Sequence, residues 1–166
     1  MFLSLTVIVV LAVVLLGIAA LILKLREPSS ASSSYYLRKS LFSPAERSFL
    51  GVLEPNVPHG TRVLGKVRLA DIFGVKSGVE RSARTAALNR ISRKHVDFLL
   101  VRTSDLAPLA GIELDDASHG AEDRQQRDAL VDSIFQGVGL PLLHFPAQKA
   151  YNPAEIRTQI EKVLTS

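Results

Sequence analysis

The sequence has no cysteine, which excludes disulfides and cysteine-ligated zinc and fits a reducing compartment. It carries no charged side chain between Met1 and Leu23. It also shows no internal repeat of about 20 to 50 residues, so a solenoid or propeller array is excluded. Low complexity is confined to the serine-rich "SSASSS" after Pro28, which leaves little room for an extended disordered region. What is present is 166 residues, 47% hydrophobic, with a formal net charge of +4. This suits one folded domain with an accessory segment.

The uncharged opening, "MFLSLTVIVVLAVVLLGIAALIL", would as a helix roughly span the ~30 Å hydrocarbon core of a bilayer at ~1.5 Å per residue. It reads as a transmembrane helix over residues 1–24, in contact with the membrane through residues 2–23. The rival is a cleaved signal peptide, which needs a basic start, an apolar stretch of only about 7 to 15 residues and small residues before the cut. Only the serines after Pro28 answer that description. The first positive charges, Lys24, Arg26, Arg38 and Lys39, all follow the span, which predicts a single-pass protein with its C-terminal side in the cytoplasm. A Pro- and Ser-rich linker over 25–36 then leads to a domain over 37–166, long enough for a complete core.

Charge is uneven. Lys24 to Arg102 holds fifteen basic and six acidic residues, whereas Thr103 onward holds five and ten. The asymmetry suits either a polyanion-binding face beside a carboxylate site or two halves that pair with each other.

Capping and periodicity predict the elements. "SPAERSFLGVL" has Ser43 as N-cap, Pro44 at the first helical position and Glu46 three residues after the cap, a capping box that opens a helix ended by Pro55. Alternation of Val63, Val67 and Leu69 predicts a strand from about Arg62 to Leu69. "VERSARTAALNRI" suits a helix, but Arg81, Arg84 and Arg90 do not share one face, so it is not a phosphate-binding stripe. "HVDFLLV" and "PLAGIEL" read as buried strands joined by the short "RTSDLA", hence an antiparallel hairpin. A helix around Leu130 to Val138 stopped by Gly137 or Gly139, a short strand in "LPLLHF" and a terminal helix capped by Asn152 complete the order. The predicted domain is α/β: a helix, three strands, a helix, a strand and a helix, in a mixed sheet flanked by helices.

The hairpin has a chemical consequence. Facing residues would sum to about 211, which sets Asp97 level with Glu113 to Asp115, and alternation puts Glu113 and Asp115 on one face. Converging carboxylates repel unless protonated, paired or bound to a cation. A divalent metal held by Asp97, Glu113 and Asp115 is the economical solution, and oxygen ligands without cysteine suit Mg²⁺ or Mn²⁺. Asp97, in an otherwise apolar strand, has few structural reasons to be there. Glu113 and Asp115 read alternatively as a solvated strand end, and Asp116 as a loop cap.

From Leu41 to Leu164 the chain resembles the bacterial domain-of-unknown-function family 2726, through "SPAERSFL", "RVLGKVRLADIF", "KHVDFLLV", "AGIELDDASH", "RQQRD" and "GLPLLHF". That family in turn resembles the restriction-endonuclease-like superfamily, the PD-(D/E)xK nucleases, and its very-short-patch-repair-like branch. The resemblance implies a restriction-endonuclease-like core behind the N-terminal helix, at a bacterial inner membrane. It implies a metal site built from a helix carboxylate, a strand Asp and an acidic-x-Lys triplet. Carried over, these are Glu46, Asp97 and Glu113, with Asp115 standing where the pattern has lysine. His119 and His95 are possible substitutes, and the short-patch-repair-like branch itself lacks the lysine and uses histidines. Lys94 has the right charge but alternates away from Asp97. Arg124 and Arg127 suit contact with substrate phosphate, although Arg124 and Asp128 also have ion-pair spacing on a solvated helix face. Two expectations follow: a membrane-anchored, metal-dependent nuclease cutting phosphodiester bonds in DNA or RNA, with Asp97, Glu113, Asp115 and His119 as catalytic residues, or an inactive module of that fold binding nucleic acid or a protein.

Overall fold

A computed structural model describes residues 4–26, 34–115 and 121–165, excluding the side chains of 5, 6, 24–26 and 121–128. The chain divides into two compact units, Met1–Leu41 and Phe42–Ser166. The first contains helix α1 (Leu5–Arg26), whose valines, leucines and isoleucines from Val7 to Leu23 are exposed. Here the sequence reading needs correction. Among the described residues no helix is long and apolar enough to cross a membrane. The transmembrane helix, and with it the single-pass inner-membrane placement with a cytoplasmic domain, is therefore not supported.

The second unit follows the order α2 (Pro44–Leu53), a 3₁₀ turn (Glu54–Asn56), β1 (Thr61–Arg68), α3 (Leu69–Ile72), α4 (Arg81–Ile91), β2 (His95–Arg102), β3 (Pro108–Asp115), α5 (Ala121–Val138), β4 (Leu142–Pro146) and α6 (Pro153–Leu164). The four strands form one sheet in the order β1-β2-β3-β4. β1 and β2 are antiparallel, β2 and β3 are antiparallel, and β4 lies parallel to β3. The expected fold, a restriction-endonuclease-like core behind a transmembrane helix, is accordingly replaced by a mixed α/β unit with a four-stranded mixed sheet. Two helices, α3 and α4, intervene between β1 and β2.

Local chemistry accounts for the ends of the helices. The Ser43 hydroxyl accepts from the Glu46 amide at 3.2 Å, and Glu46 Oε2 accepts from the Ser43 amide at 2.8 Å, so the capping box is formed. Asn152 Oδ1 accepts from the Ala154 amide at 3.0 Å. Gly139, with φ 73°, supplies the left-handed residue after α5.

Burial alternates along β2. Phe98 and Leu100 join Phe49 and Leu53 of α2, Ala110 and Ile112 of β3, Phe145 of β4, and Ile156 and Ile160 of α6 in one cluster. Leu99 and Val101 join Leu69, Phe73, Ile91, Val131 and Phe135 in the other, under α3, α4 and α5. The sheet is thus covered on both sides, as apolar runs in its central strands require. Gly111 keeps β3 close to α5: a Cβ there would lie 2.5 Å from Phe135 Cε1 and 2.8 Å from Leu142 Cδ1.

The alternation fails at one place, and it fails in two strands together. On β1, Leu64 and Val67 share a cluster although three residues apart, and on β2 Val96 and Leu99 do the same. The pairs Gly65↔Phe98 and Val67↔Val96 bracket this slip. Between them sit Lys66 and Asp97, and Lys66 has the left-handed φ of 56° that a non-glycine residue rarely adopts. Gly65 leaves room for the Phe42 ring, which stacks on Phe98 at 5.6 Å. The kink turns two charged side chains toward α2.

Candidate functional site

The kink brings together Glu46, Lys66 and Asp97. The Lys66 ammonium donates to Glu46 Oε1 and lies 3.4 Å from Asp97 Oδ1. The three side chains are 14% (Glu46), 30% (Lys66) and 11% (Asp97) exposed, so the cluster is close to the core yet open on the lysine side. Asp97 Oδ2 accepts from the Leu114 amide at 3.1 Å, which ties the carboxylate to β3. Asp97 is also the one charged residue among the described buried side chains. Its retention at that depth depends on the lysine and the amide, because a buried carboxylate without partners would cost several kcal/mol.

Glu46 performs two tasks at once. Its Oε2 closes the capping box and its Oε1 receives Lys66. Burial pushes its carboxyl up, but the hydrogen bonds from Lys66 and from Ser43, with the charge of the ammonium, outweigh this and hold it below the usual 4.5. A carboxylate whose folded value is depressed stabilises the fold above its unfolded value, and that contribution disappears as pH falls through the folded one. Wild-type protein is therefore expected to exceed Glu46→Gln in stability at pH 6, with the gap closing as pH drops below 4.5. Urea midpoints measured across that range check this; a gap independent of pH would show that Glu46 is not held as an ion.

The remaining acidic residues go elsewhere. β2 and β3 pair as Phe98↔Ile112 and Leu99↔Gly111, within one step of the expected register. Asp97 is therefore level with Glu113 and Leu114. Glu113 is half-buried, its Oε1 is a buried atom, and it stands opposite His144 of β4. Asp115 is exposed and faces His144, whose Nδ1 lies 3.3 Å from both Asp115 oxygens. The other ring nitrogen, Nε2, lies 3.1 Å from Asp132 Oδ1 on α5. The sheet thus gives Asp97 and Asp115 different partners, a lysine for one and a histidine for the other. Among the described residues no group of three or more His, Cys, Asp or Glu is placed to hold a metal ion.

Of the other expected site residues, His119 and Asp116 lie outside the described residues, as do the side chains of Arg124 and Arg127 on α5. His95 pairs with Arg68 across β1 and β2 and lines a cleft with Lys94. Two residues escaped the sequence reading. Lys66 was hidden because strict alternation gives it no special place, although the Gly65–Lys66 step inside a strand is a sign of close backbone approach. His144 was hidden in a short apolar strand whose parallel pairing to β3 is not legible locally.

Fold and site together define a mixed α/β unit that holds a carboxylate–lysine–carboxylate cluster where its first two strands kink. Residues 38–163 match the family described as "Protein of unknown function (DUF2726)", and the chain belongs to that family. No curated protein and no solved structure matches the chain.

Proposed function

We propose that this protein is a divalent-metal-dependent nuclease that hydrolyses phosphodiester bonds in DNA or RNA at the Glu46–Lys66–Asp97 cluster. The observation that carries this reading is the position of the Lys66 ammonium, 3.4 Å from the Asp97 carboxylate and bonded to Glu46. In the restriction-endonuclease-like superfamily, which this chain resembles, a helix carboxylate, a strand Asp and a lysine share one site. Here the helix carboxylate is Glu46 and the strand Asp is Asp97. The lysine comes from β1 rather than from the third position after Glu113, where Asp115 stands.

The donors suit a hard cation. Mg²⁺ needs only one or two carboxylates beside water and substrate phosphate, and Asp97 and Glu113 are the residues that would hold it. When bound, such an ion polarises the phosphate and acidifies a water. The chain's own contribution is positional. Lys66 aims its ammonium where negative charge grows on the phosphate oxygens as the water–phosphorus bond forms and the phosphorus–oxygen ester bond breaks, the leaving oxygen taking up a proton. Glu46 and the kink at Lys66 hold the long side chain in place, which reduces the reorganisation required in the reaction. The inactive, nucleic-acid-binding reading draws on the same ion triad, since a lysine tied to two carboxylates also serves as simple charge compensation.

The two readings separate in a cleavage assay. Labelled single- and double-stranded DNA and RNA are incubated with the full chain and Mg²⁺ or Mn²⁺, beside Asp97→Asn. The nuclease reading expects metal-dependent cutting that Asp97→Asn removes. Binding of the strands without cutting under either metal would leave the non-catalytic module.

A further inference from the structure

Three surface arginines sit in ion pairs. Arg68 binds Asp71, Arg102 binds Asp105, and Arg157 binds Glu161. A group of cations shares one recess where α4 ends and β2 begins. A cleft of about 340 Å³ is lined by Asn89, Arg90, Arg93, Lys94 and His95, with no carboxylate among them. Arg90 and Arg93 are exposed and Lys94 is half-buried. Converging cations in a recess raise the local positive potential, because the low-dielectric wall focuses the field. Such a cluster destabilises the free protein unless an anion shares it.

We propose that this cleft grips the sugar–phosphate backbone of a nucleic-acid strand without regard to base sequence. The inference rests on the nuclease reading for its substrate class and adds to it the place where the strand is held. Guanidinium groups match phosphate oxygens in a bidentate manner, and two of them sit here with an ammonium. Among the described lining residues there is no Phe, Tyr or Trp ring, so the cleft is built chiefly of cations rather than of stacking platforms. Arg90, Arg93 and Lys94 are donors only, and mixed donor and acceptor groups are confined to Asn89 and His95 among the described lining residues. The cleft is also near the proposed cutting site. His95, at its rim, precedes Asp97 by two residues on β2, about 7 Å along a strand. The cluster comes from the last turn of a helix and the turn after it, which is why no helical periodicity announces it.

The test measures binding of the full chain to a fluorescein-labelled 20-nucleotide DNA of mixed sequence, by anisotropy, in EDTA and over a series of NaCl concentrations. Arg90→Gln/Arg93→Gln/Lys94→Gln is expected to weaken binding by roughly tenfold to a hundredfold at ~0.1 M salt and to lower the salt slope by about 2 to 3. Arg102→Gln/Arg157→Gln, a control for loss of surface charge, is expected to change binding less than threefold. Arg90→Lys/Arg93→Lys should keep most of the salt slope. A second DNA of different sequence, and an RNA, should bind within a few-fold of the first. Unchanged affinity and slope in the triple variant, equal loss in the control, or failure of the wild type to bind would each overturn the proposal. So would displacement of the DNA by millimolar inorganic phosphate beyond NaCl of equal ionic strength, which would mark a site for small anions. Cleavage is read separately on the same proteins. Binding without cutting leaves the cleft standing and removes the nuclease reading, while cutting with unchanged binding in the triple variant does the reverse.

Discussion

Lys66→Met is expected to lower the stability of the Phe42–Ser166 unit by about 2 kcal/mol. An ammonium 3.4 Å from Asp97 Oδ1 attracts it by about 5 kcal/mol at an effective dielectric near 20. Ordering the lysine side chain takes back ~1.5–2 kcal/mol, and its 30% exposure screens the rest. The variant leaves two carboxylates, both largely buried, without the cation between them. Adding Glu46→Gln to Lys66→Met should recover part of the loss, because one of the two negative charges is then gone. Urea denaturation of the single and double variants reads this coupling directly. A single-variant loss below about 0.5 kcal/mol, the range of an ordinary surface substitution, would show that the triad carries no stability.

Phe49→Ala is expected to cost more, about 3–5 kcal/mol. Its fully buried ring lies 5.7 Å from Phe98, 5.1 Å from Phe145 and 5.0 Å from Tyr151, centroid to centroid. These contacts fasten α2 to β2, β4 and the segment before α6. Since Glu46 lies less than one turn before Phe49 on α2, the same packing fixes the carboxylate that receives Lys66. Phe49→Leu, which keeps most of the volume, should cost less than half as much. Thermal and urea unfolding of both variants check the order, and equal losses would mean that ring packing is not what holds α2.

The elements whose ends are written in local chemistry were legible in the sequence. Ser43, Pro44 and Glu46 announced α2, Asn152 and Pro153 announced α6, and the apolar runs of β2 and β3 announced a hairpin whose register is one step from that expected. The carboxylate partners were less legible. Alternation alone sends Asp97, Glu113 and Asp115 to one place, but the kink at Lys66 turns Asp97 toward α2, and the parallel strand β4 brings His144 to Asp115. Both events depend on pairing between segments distant in sequence, which periodicity within one segment does not encode. Near Asp115 and Asp97 the sequence offers His119, His95 and Lys94 in place of the lysine, whereas the cation that meets Asp97 comes from a strand 31 residues upstream.

The most direct test of the account is the rate of phosphodiester cleavage by Lys66→Gln, measured in single turnover with Mg²⁺ or Mn²⁺ at a temperature where its unfolding curve shows it fully folded. A lysine that supports developing charge on the phosphate predicts a rate lower by about 10²–10³-fold, with DNA binding in EDTA close to that of the wild type. Cleavage at the wild-type rate would contradict the assignment of Lys66 and remove the cluster as the cutting site.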